Sequence, residues 1–369
     1  MIDRFSSNPL FTPADLKPSR SDLKIMCAFN PAATMFNGHR IILMRVAETP
    51  IPEKGYIATP VADSETGEVE IRRFRKDDPD VTLVDPRVFT YKGETFLTSL
   101  SHLRMATSDD GLHFKAKETP ALVPSGRYET YGVEDPRITF LDGHYYINYT
   151  AASPLGVVTA LARTDDFKNF ERIGIAFGPD NKDVALFPEK IRGRYHAFHR
   201  PAVQHCGAPS IWLASSGDLR DWGRHEFVAG PRRGTWDCER VGAGSSPIKT
   251  EYGWLAFYHA ADHQTRYCLG AMLLDLEEPW HVLARPAEPF FVPEAEYEVS
   301  GGFMPNVVFH NGTIDLGDGT LELYYGGGRS RDLRSAGKAG RSARLRKELT
   351  FRSEVGANRP TGWGEFFLQ

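Results

Sequence analysis

The stretch TYGVEDPRITFLDGHYYINYT, residues 130–150, contains one unit of the pattern that decides the fold. It starts with a polar segment around a proline, continues as a short apolar strand, turns at Asp142-Gly143 and returns as an aromatic-rich strand. An Asp-Gly pair between two strand-forming runs is typical of a β-hairpin. Such a hairpin does not require charge, so the dense cluster of Glu134, Asp135 and Arg137 beside the proline predicts the rim of a site.

The same unit recurs along the chain at intervals of about 50 to 60 residues. Its copies are marked by Pro31, Pro86, Pro136, Pro188, Pro247 and Pro305. This period is that of a four-stranded propeller blade, and helical periodicity is nearly absent up to Gly328. We therefore predict an all-β fold, a five-bladed β-propeller, in which the copy at Pro305 completes the first blade and closes the ring. A single β-sandwich is the alternative, but it does not explain the period.

Composition limits the function classes. The 369 residues carry a net charge of -4 with a pI near 6.3, which gives no reason to expect a nucleic-acid partner. No apolar run is long enough to span a membrane, and the N-terminal segment lacks the apolar core of a signal peptide. The four cysteines are scattered, which predicts reduced thiols in a cytoplasmic protein. No cluster has metal-ligand spacing, so we expect no metal site.

The repeat also predicts where a site would form. In a propeller the inner strands of all blades begin near one mouth of the central channel. Groups beside the marker prolines should therefore converge there, and these are Asn30, Asp85, Arg87, Glu134, Asp135, Arg137 and Glu189.

Several longer motifs resemble one enzyme family. The motifs are GVEDPRIT, NKDVALFPEKIRGRYHAFHRP, ERVGAGSSPIKTEYGWLAFYHA, YCLGAMLLDLEEP and MPNVVF, in this order between about Asn8 and Gly327. They are similar to the β-mannoside phosphorylases and mannosidases of glycoside hydrolase family 130. The family fold is a five-bladed propeller. The N-terminal region resembles the subgroup with the 1,2-β-mannobiose and β-oligomannan phosphorylases, and next the enzymes acting on β-1,4-mannosyl-N-acetylglucosamine.

The resemblance implies that Asp135 is the general acid, acting through a hydroxyl of the mannose ring. Glycosidic cleavage needs a proton on the leaving oxygen and a nucleophile at the anomeric carbon. A neighbouring carboxylate, Glu134, would raise the pKa of Asp135 and Arg137 would lower it, and the sequence leaves this balance open. The alternative is that Asp135 and Arg137 pair and cap a strand.

The nucleophile separates a phosphorylase from a hydrolase. A phosphorylase needs cations and donors around inorganic phosphate, its co-substrate, and no other cofactor. The resemblance implies a phosphate site at Lys182, Arg200, Arg240, His259 and Tyr267. Recognition of the β-mannoside or manno-oligosaccharide is assigned to Asn30, Arg45, Arg87, Glu134, Arg137, Asp183 and Glu239. Asp183 and Glu239 are also the candidate bases of an inverting β-mannosidase, and Trp236 and Tyr131 are candidates for stacking on sugar rings.

The composition changes after Gly328. Residues 329–349 hold eight Arg or Lys against two Asp or Glu, and the family's Ala-Asp pair after YYGG is replaced by Gly328-Arg329. We predict a propeller domain over residues 1–328 and a basic, disordered or loosely helical tail over 329–369. The tail either docks on a neighbouring subunit of a homo-oligomer or results from a shifted reading frame. Three functions remain open: an inverting β-mannoside phosphorylase, an inverting β-mannosidase and a non-catalytic carbohydrate-binding propeller.

Overall fold

The computed structural model describes residues 2–203, 205–300, 304–329 and 341–346, and the fold is all-β. Its helical residues within those ranges are a 3₁₀ turn at Pro13–Asp15 and one turn of α-helix, α1, at Glu296–Val299. Neither of these short helical segments could cross a membrane. Strands thus provide nearly all of the regular backbone, as the short alternating apolar runs predicted.

Twenty-six strands are present in the described ranges. The first ten are β1 (Ile2–Arg4), β2 (Leu23–Phe36), β3 (His39–Pro50), β4 (Tyr56–Ala62), β5 (Val69–Arg75), β6 (Val81–Asp85), β7 (Val88–Tyr91), β8 (Glu94–Leu97), β9 (Leu100–Ser108) and β10 (Lys115–Ala116). The next eight are β11 (Gly132–Leu141), β12 (His144–Ser153), β13 (Gly156–Thr164), β14 (Glu171–Phe177), β15 (Asn181–Leu186), β16 (Tyr195–Pro201), β17 (Ile211–Ser216) and β18 (Trp222–Ala229). The last eight are β19 (Arg240–Ala243), β20 (Ile248–Thr250), β21 (Gly253–Ala261), β22 (Tyr267–Leu274), β23 (Val282–Ala284), β24 (Met304–Asp315), β25 (Thr320–Arg329) and β26 (Arg341–Arg346).

Most strands form five antiparallel groups, which we call sheets I to V. Sheet I is β2-β3-β9-β10, sheet II is β11 to β14 and sheet III is β15 to β18, each in sequence order. In sheet IV, β19 and β20 pair one after the other with two stretches of β21, β21 pairs with β22, and β22 pairs with β23. Sheet V is β24-β25-β26-β1. Single parallel pairs join sheet I to II at Ser101–Gly132 and sheet IV to V at Tyr267–Val307.

The hydrophobic core lies between successive sheets. Leu43 and Leu103 of sheet I pack with Val133 and Tyr149 of sheet II. Similar clusters join sheet II to III, III to IV, and IV to V. A fifth cluster joins sheet V back to sheet I, with Tyr324 packed against the group that includes Ile42. The five sheets therefore contact one another in a cycle.

The strand pairing of the last repeat differs from the prediction. The copy at Pro305 does not pair with the copy at Pro31. Its strands β24 and β25 pair with each other, β25 also pairs with β26, and β26 pairs with the N-terminal β1. Sheets V and I meet through side chains instead. A buried ion pair also fixes β1: Arg4 Nε donates to Glu298 Oε1 at 2.9 Å, and Tyr325 Oη donates to the same oxygen at 2.7 Å.

The copy at Pro86 belongs to an insertion. Residues between β3 and β9 form the hairpin β4-β5 and the three-stranded sheet β6-β7-β8, and Pro86 lies in the turn between β6 and β7. The insertion has its own aromatic core, in which the rings of Phe74, Phe89 and Phe96 lie about 5 Å apart. The sequence therefore contains six copies of the pattern although there are five sheets, because the copy at Pro86 forms a hairpin outside sheets I to V.

The segment predicted to be a tail contains a strand. Strand β26 lies within residues 329–369 and pairs with β25 over six positions and with β1 over three. The expected absence of strand structure is therefore wrong for residues 341–346. The sequence signal failed because the formation of this strand depends on backbone pairing with β25 and β1, which lie elsewhere in the sequence, and not on local composition alone. The rest of the predicted tail lies outside the described residues, apart from Arg329 at the end of β25.

Truncation after Arg329 tests the role of β26. Loss of this strand would leave β25 and β1 without their shared partner, and each net backbone hydrogen bond contributes about 1 kcal/mol. We expect the free energy of unfolding in urea to fall by at least about 2 kcal/mol. Truncation after Arg346 retains β26 and is the matched control. Equal stability of the two truncated proteins would show that β26 is dispensable.

Candidate active site

A cavity of about 690 Å³ lies where residues of sheets I to V and the insertion meet. Ten of the predicted site residues line it: Asn30, Arg45, Arg87, Glu134, Asp135, Lys182, Asp183, Arg200, Arg240 and Tyr267. Five of them are cationic and three are anionic, so the cavity favours an anion. Of the seven residues that the repeat predicted to converge, Asn30, Arg87, Glu134 and Asp135 line the cavity, and Asp85, Arg137 and Glu189 do not. The other six lining residues were predicted from the family resemblance.

A β-bulge with one left-handed residue positions three of the polar groups. Asn30, Asp135 and Asp183 each have φ near +50° and each lies in a β-bulge of the first strand of its sheet. Asn and Asp tolerate this left-handed conformation better than most residues. A bulge re-aims a side chain that regular pairing would turn elsewhere. The bulges, rather than the marker prolines, are the equivalent positions, because Pro188 and Pro247 follow the ends of β15 and β19.

Arg45 holds the paired carboxylates. Its Nη2 lies 2.5 Å from Glu134 Oε1 and its Nη1 lies 3.1 Å from Asp135 Oδ1. Asn30 Nδ2 donates to the same Asp135 oxygen at 2.8 Å. Burial alone would lower the pKa of Arg45, but the charges of Glu134 and Asp135 outweigh burial and raise it. Gly326 packs directly on the Asn30 amide, and a Cβ there would overlap Asn30 Oδ1.

Asp183 is the centre of a buried charge cluster. Arg137 Nη2 donates to its Oδ1 at 3.3 Å, and His259 Nε2 lies 3.1 Å from its Oδ2. Arg200 Nε is 3.0 Å from Oδ2, an ion pair without hydrogen-bond alignment. Burial by itself raises the pKa of Asp183, but Arg200, His259 and Arg137 together hold this pKa well below its usual range. The carboxylate is therefore charged and engaged by three neighbours.

His259 lies next to Asp183 but does not line the cavity. Its side chain is fully buried, and its ring lies tilted against Phe309 at a centroid distance of 4.0 Å. Burial lowers the pKa of His259 more than the Asp183 carboxylate raises it, so the ring is neutral. A neutral ring that donates Nε2–H to Asp183 keeps that carboxylate in place. His259 thus differs from the other four residues of the predicted phosphate site, Lys182, Arg200, Arg240 and Tyr267, which all line the cavity.

Lys182 and Arg240 are less constrained by neighbouring charges than Arg200 is. Lys182 and Arg200 are direct partners across the β15–β16 pair, so they lie side by side at the cavity. Arg240 and Tyr267 both pair with Ala261, from opposite sides of β21. No carboxylate among the described residues pairs with Lys182 or Arg240. The Nε of Arg240 is buried and has no hydrogen-bond partner among the residues that the structure describes.

Several other predicted residues lie elsewhere. The buried Arg137 guanidinium donates to the carbonyls of Ala243 and Gly244 and to Asp183, so it links sheets II, III and IV rather than lining the cavity. Glu239 is exposed and contacts His263 at 2.7 Å, outside the cavity lining. Glu189 pairs with Lys249.

The two aromatic candidates are also outside the cavity lining. Tyr131 is buried in the core of the insertion and donates to the Thr95 carbonyl. Trp236 stacks on Tyr258 with ring centroids 5.7 Å apart. Neither ring is placed for stacking on a sugar in the cavity.

Sequence reasoning missed several lining residues. Phe29, Thr265, Met304, Val307 and Phe309 all contribute to the cavity wall. Phe29 lies beneath the Arg45 guanidinium at 4.8 Å, which only the tertiary structure shows. Met304 and Phe309 are the first and last residues of the MPNVVF motif, so their place in the repeat was the available signal. The described residues contain no His, Cys, Asp or Glu cluster able to hold a metal ion.

Comparison with known proteins identifies the family. Residues 78–330 match the model of glycoside hydrolase family 130, which is described as beta-1,4-mannooligosaccharide phosphorylase. The chain belongs to glycoside hydrolase family 130. This membership agrees with the motif resemblance and covers the part of the chain that builds most of the cavity.

Individual members of family 130 are similar over most of their length. A beta-1,2-mannobiose phosphorylase of Listeria innocua is 46% identical over 330 residues, covering 88% of this chain and 92% of the relative. A 1,2-beta-oligomannan phosphorylase of a Thermoanaerobacter species is 42% identical over 231 residues, covering 62% and 75%. The solved structure of the beta-1,2-mannobiose phosphorylase from Listeria innocua, in complex with beta-1,2-mannobiose, superposes with a TM-score of 0.86. It is 42% identical, and the match covers 94% of this chain and 96% of that one.

Gly242 provides a test of the Asp183 cluster in this family 130 protein. A Cβ at residue 242 would overlap Asp183 Oδ2 and lie 2.5 Å from His259 Nε2, so Gly242→Ala must displace this contact. We expect kcat/KM for the enzyme's β-mannoside to fall at least about tenfold, because small misplacements of polar groups in a site are costly. The control is Gly178→Ala, where a Cβ meets nothing within 4 Å. Equal activity of the two variants would contradict the steric role of Gly242.

Proposed function

We propose that this chain catalyses inverting phosphorolysis of β-mannosides, giving α-mannose 1-phosphate and the released sugar. The main support is a single cavity in a family 130 chain. It contains the Asp135 carboxylate, which is ion-paired with Arg45, and the three cations Lys182, Arg200 and Arg240. A carboxyl group is the natural proton donor to a leaving oxygen, and cations are the natural ligands of phosphate. The names of its relatives support the same reaction.

In this proposal Asp135 is the general acid. Its Oδ1 is held by Asn30 and Arg45, which fix the orientation of the carboxyl group toward the cavity. The proton passes through a mannose hydroxyl to the leaving oxygen, as the family resemblance implies. Arg45 also neutralises Glu134, so the two adjacent carboxyl groups can share the site.

Phosphate is assigned to Lys182, Arg200 and Arg240, with Tyr267 as a further donor. Inversion requires a phosphate oxygen to attack the anomeric carbon on the face opposite the leaving sugar. Lys182 and Arg240 carry charges that no described carboxylate neutralises, which favours capture of an anion. His259, which is buried beside Asp183, orients that carboxylate in the proposal and does not bind phosphate directly.

The hydrolase alternative explains fewer of the described cavity-lining residues than phosphorolysis does. An inverting hydrolase needs a carboxylate to activate water. The lining carboxylates are held by ion pairs, Glu134 and Asp135 with Arg45 and Asp183 with Arg200, whereas activation of water would give the cations Lys182 and Arg240 no role. Glu239, the other candidate base, is exposed and contacts His263. A non-catalytic binding protein would not need this arrangement of acid and cations, so phosphorolysis explains more of the site.

The proposed substrate is 1,2-β-mannobiose or a β-1,2-linked oligomannan, followed by β-1,4-mannosyl-N-acetylglucosamine. Support comes from the similar proteins named for β-1,2-mannobiose and 1,2-β-oligomannan. The insertion lines the cavity with Arg87, Val88 and Leu97, so its shape is proposed to select the acceptor sugar. Apart from phosphate as co-substrate, no cofactor is part of the proposal. Cytoplasmic location and a homo-oligomeric state remain predictions from the sequence.

We further propose that sheets I to V are the blades of a five-bladed propeller. Five antiparallel groups, four with four strands and sheet IV with five, pack in a cycle and support this architecture. Closure would then occur through β1 in sheet V, beside the C-terminal strands, and not through pairing with β2. The division into a domain of residues 1–328 and a tail of residues 329–369 remains a prediction, and β26 argues for a later boundary.

Asp135→Asn tests the general acid. The asparagine keeps the shape of the side chain but cannot supply the proton, so we expect turnover of 1,2-β-mannobiose to fall by roughly 10²- to 10⁴-fold with folding unchanged. Release of mannose 1-phosphate is measured with and without phosphate. Asp165→Asn, at an exposed carboxylate beside His144, is the control. Turnover that does not depend on phosphate would disprove the phosphorylase proposal, and a near-normal rate in Asp135→Asn would remove this residue from the mechanism.

Lys182→Ala tests the phosphate site separately. A charge-assisted hydrogen bond contributes about 1.5–3 kcal/mol, so the KM for phosphate should rise roughly 10- to 100-fold. The KM for the mannoside should change no more than about twofold, because uniform binding of only one substrate is lost. Lys168→Ala, at an exposed turn, is the control. A larger rise in the mannoside KM than in the phosphate KM would place Lys182 on the sugar.

A further inference from the structure

Three side chains connect the protein surface to the strand that carries Arg200. Asn181 is at the start of β15, His199 is in β16 and His225 is in β18, so all three belong to sheet III. His225 is exposed, whereas Asn181 and His199 are buried. None of them lines the cavity, and the reaction proposed above assigns them no role.

The orientation of each group follows from the one before it. The backbone N–H of Arg200 donates to Asn181 Oδ1 at 3.2 Å, and a backbone amide can only donate. The other end of the Asn181 side chain must therefore be its NH₂ group, which lies 3.1 Å from His199 Nδ1. His199 Nδ1 then accepts this bond, and its proton is on Nε2. Nε2 lies 3.0 Å from His225 Nδ1, which accepts in turn.

The environment of His199 keeps it in this state. Burial, and to a smaller extent the neighbouring His225, lowers the pKa of His199 to about 4. A neutral imidazole has one donor and one acceptor nitrogen, which matches one N–H partner and one acceptor partner. The ring of Phe177 is stacked on His199 at a centroid distance of 4.8 Å and an interplanar angle of 17°, so the imidazole cannot turn freely.

The inner end of this chain lies where phosphate binding is proposed. Arg200 of β16 lies directly opposite Lys182 of β15 in the antiparallel strand pair, and the register of this pair shifts between Lys182 and Ala185. At such a bulge the regular ladder of hydrogen bonds is interrupted. The Asn181 side chain takes the Arg200 N–H at this point and thereby fixes the backbone from which both cations extend.

We propose that Asn181, His199 and His225 are positioning residues that hold the Lys182–Arg200 pair in the geometry needed to bind phosphate. This inference rests on the proposed phosphorolysis, because it assigns the two cations to phosphate. None of the three residues touches substrate, and each acts through the backbone of Arg200. Their removal should therefore affect phosphate more than the mannoside.

The test compares two substitutions of His199. His199→Phe preserves the stacking on Phe177 but leaves the Asn181 NH₂ without an acceptor. Loss of one buried hydrogen bond should raise the KM for phosphate about fivefold, with the mannoside KM and the kcat at saturating phosphate within about twofold of wild type. His199→Asn places an amide oxygen near the former position of Nδ1 and should restore the phosphate KM to within about twofold.

Two further variants make the result specific. His196→Phe is the matched control, since His196 is buried in the same strand but its Nδ1 contacts the Arg194 carbonyl, outside the chain of three. If His199→Phe fails to fold, His225→Ala removes an exposed residue, and we expect a rise of about twofold to threefold in the phosphate KM.

The outcomes separate this inference from the proposed function. A wild-type enzyme without phosphate-dependent turnover would overturn both. A phosphate-dependent wild type in which His199→Phe leaves the phosphate KM unchanged, or raises both KM values equally, would overturn only the positioning role. Failure of the folded His199→Asn variant to restore the phosphate KM would do the same, because the Asn181 acceptor would then be irrelevant.

Discussion

The buried carboxylate of Asp183 is the charge on which the centre of this protein depends. A buried anion is costly unless cations and donors surround it, and here Arg137, Arg200 and His259 do so from three other strands. Those strands belong to sheets II, III and IV, so one carboxylate holds three sheets in register at the cavity. The neutral Gly242 beside it is required by space, since any side chain would enter the Asp183–His259 contact.

The same local device supplies the polar groups of the site. A bulge with one left-handed residue recurs in the first strands of sheets I, II and III, at Asn30, Asp135 and Asp183. Repetition of one backbone feature in packed sheets produces convergence without any long loop. The roles of these residues differ because their neighbours differ. Asp135 is held by Asn30 and Arg45 at the cavity, whereas Asp183 forms ion pairs with the arginines Arg137 and Arg200.

This division of charge explains how one cavity could serve an acid and an anion together. Arg45 is committed to Glu134 and Asp135, and Arg137 to the interior. Lys182 and Arg240 have no carboxylate partner in the described ranges, so their charge is available to a ligand. Arg200 is between these classes, because it is paired with Asp183 yet lines the cavity. Its placement therefore matters, and the Asn181 side chain fixes its backbone.

The sequence alone determined the all-β class, the family and ten of the cavity-lining residues, because hairpin chemistry and motif order are local properties. It did not determine the strand partners. The copy at Pro86 lies in an insertion, the copy at Pro305 forms one sheet with β26 and β1, and residues 341–346 form a strand despite their charge. It also could not place His259, Glu239 or Arg137 relative to the cavity. Burial and pairing depend on contacts between residues that are distant in the chain. Only the packing of the sheets therefore decides which charged side chains form buried ion pairs and which line the cavity.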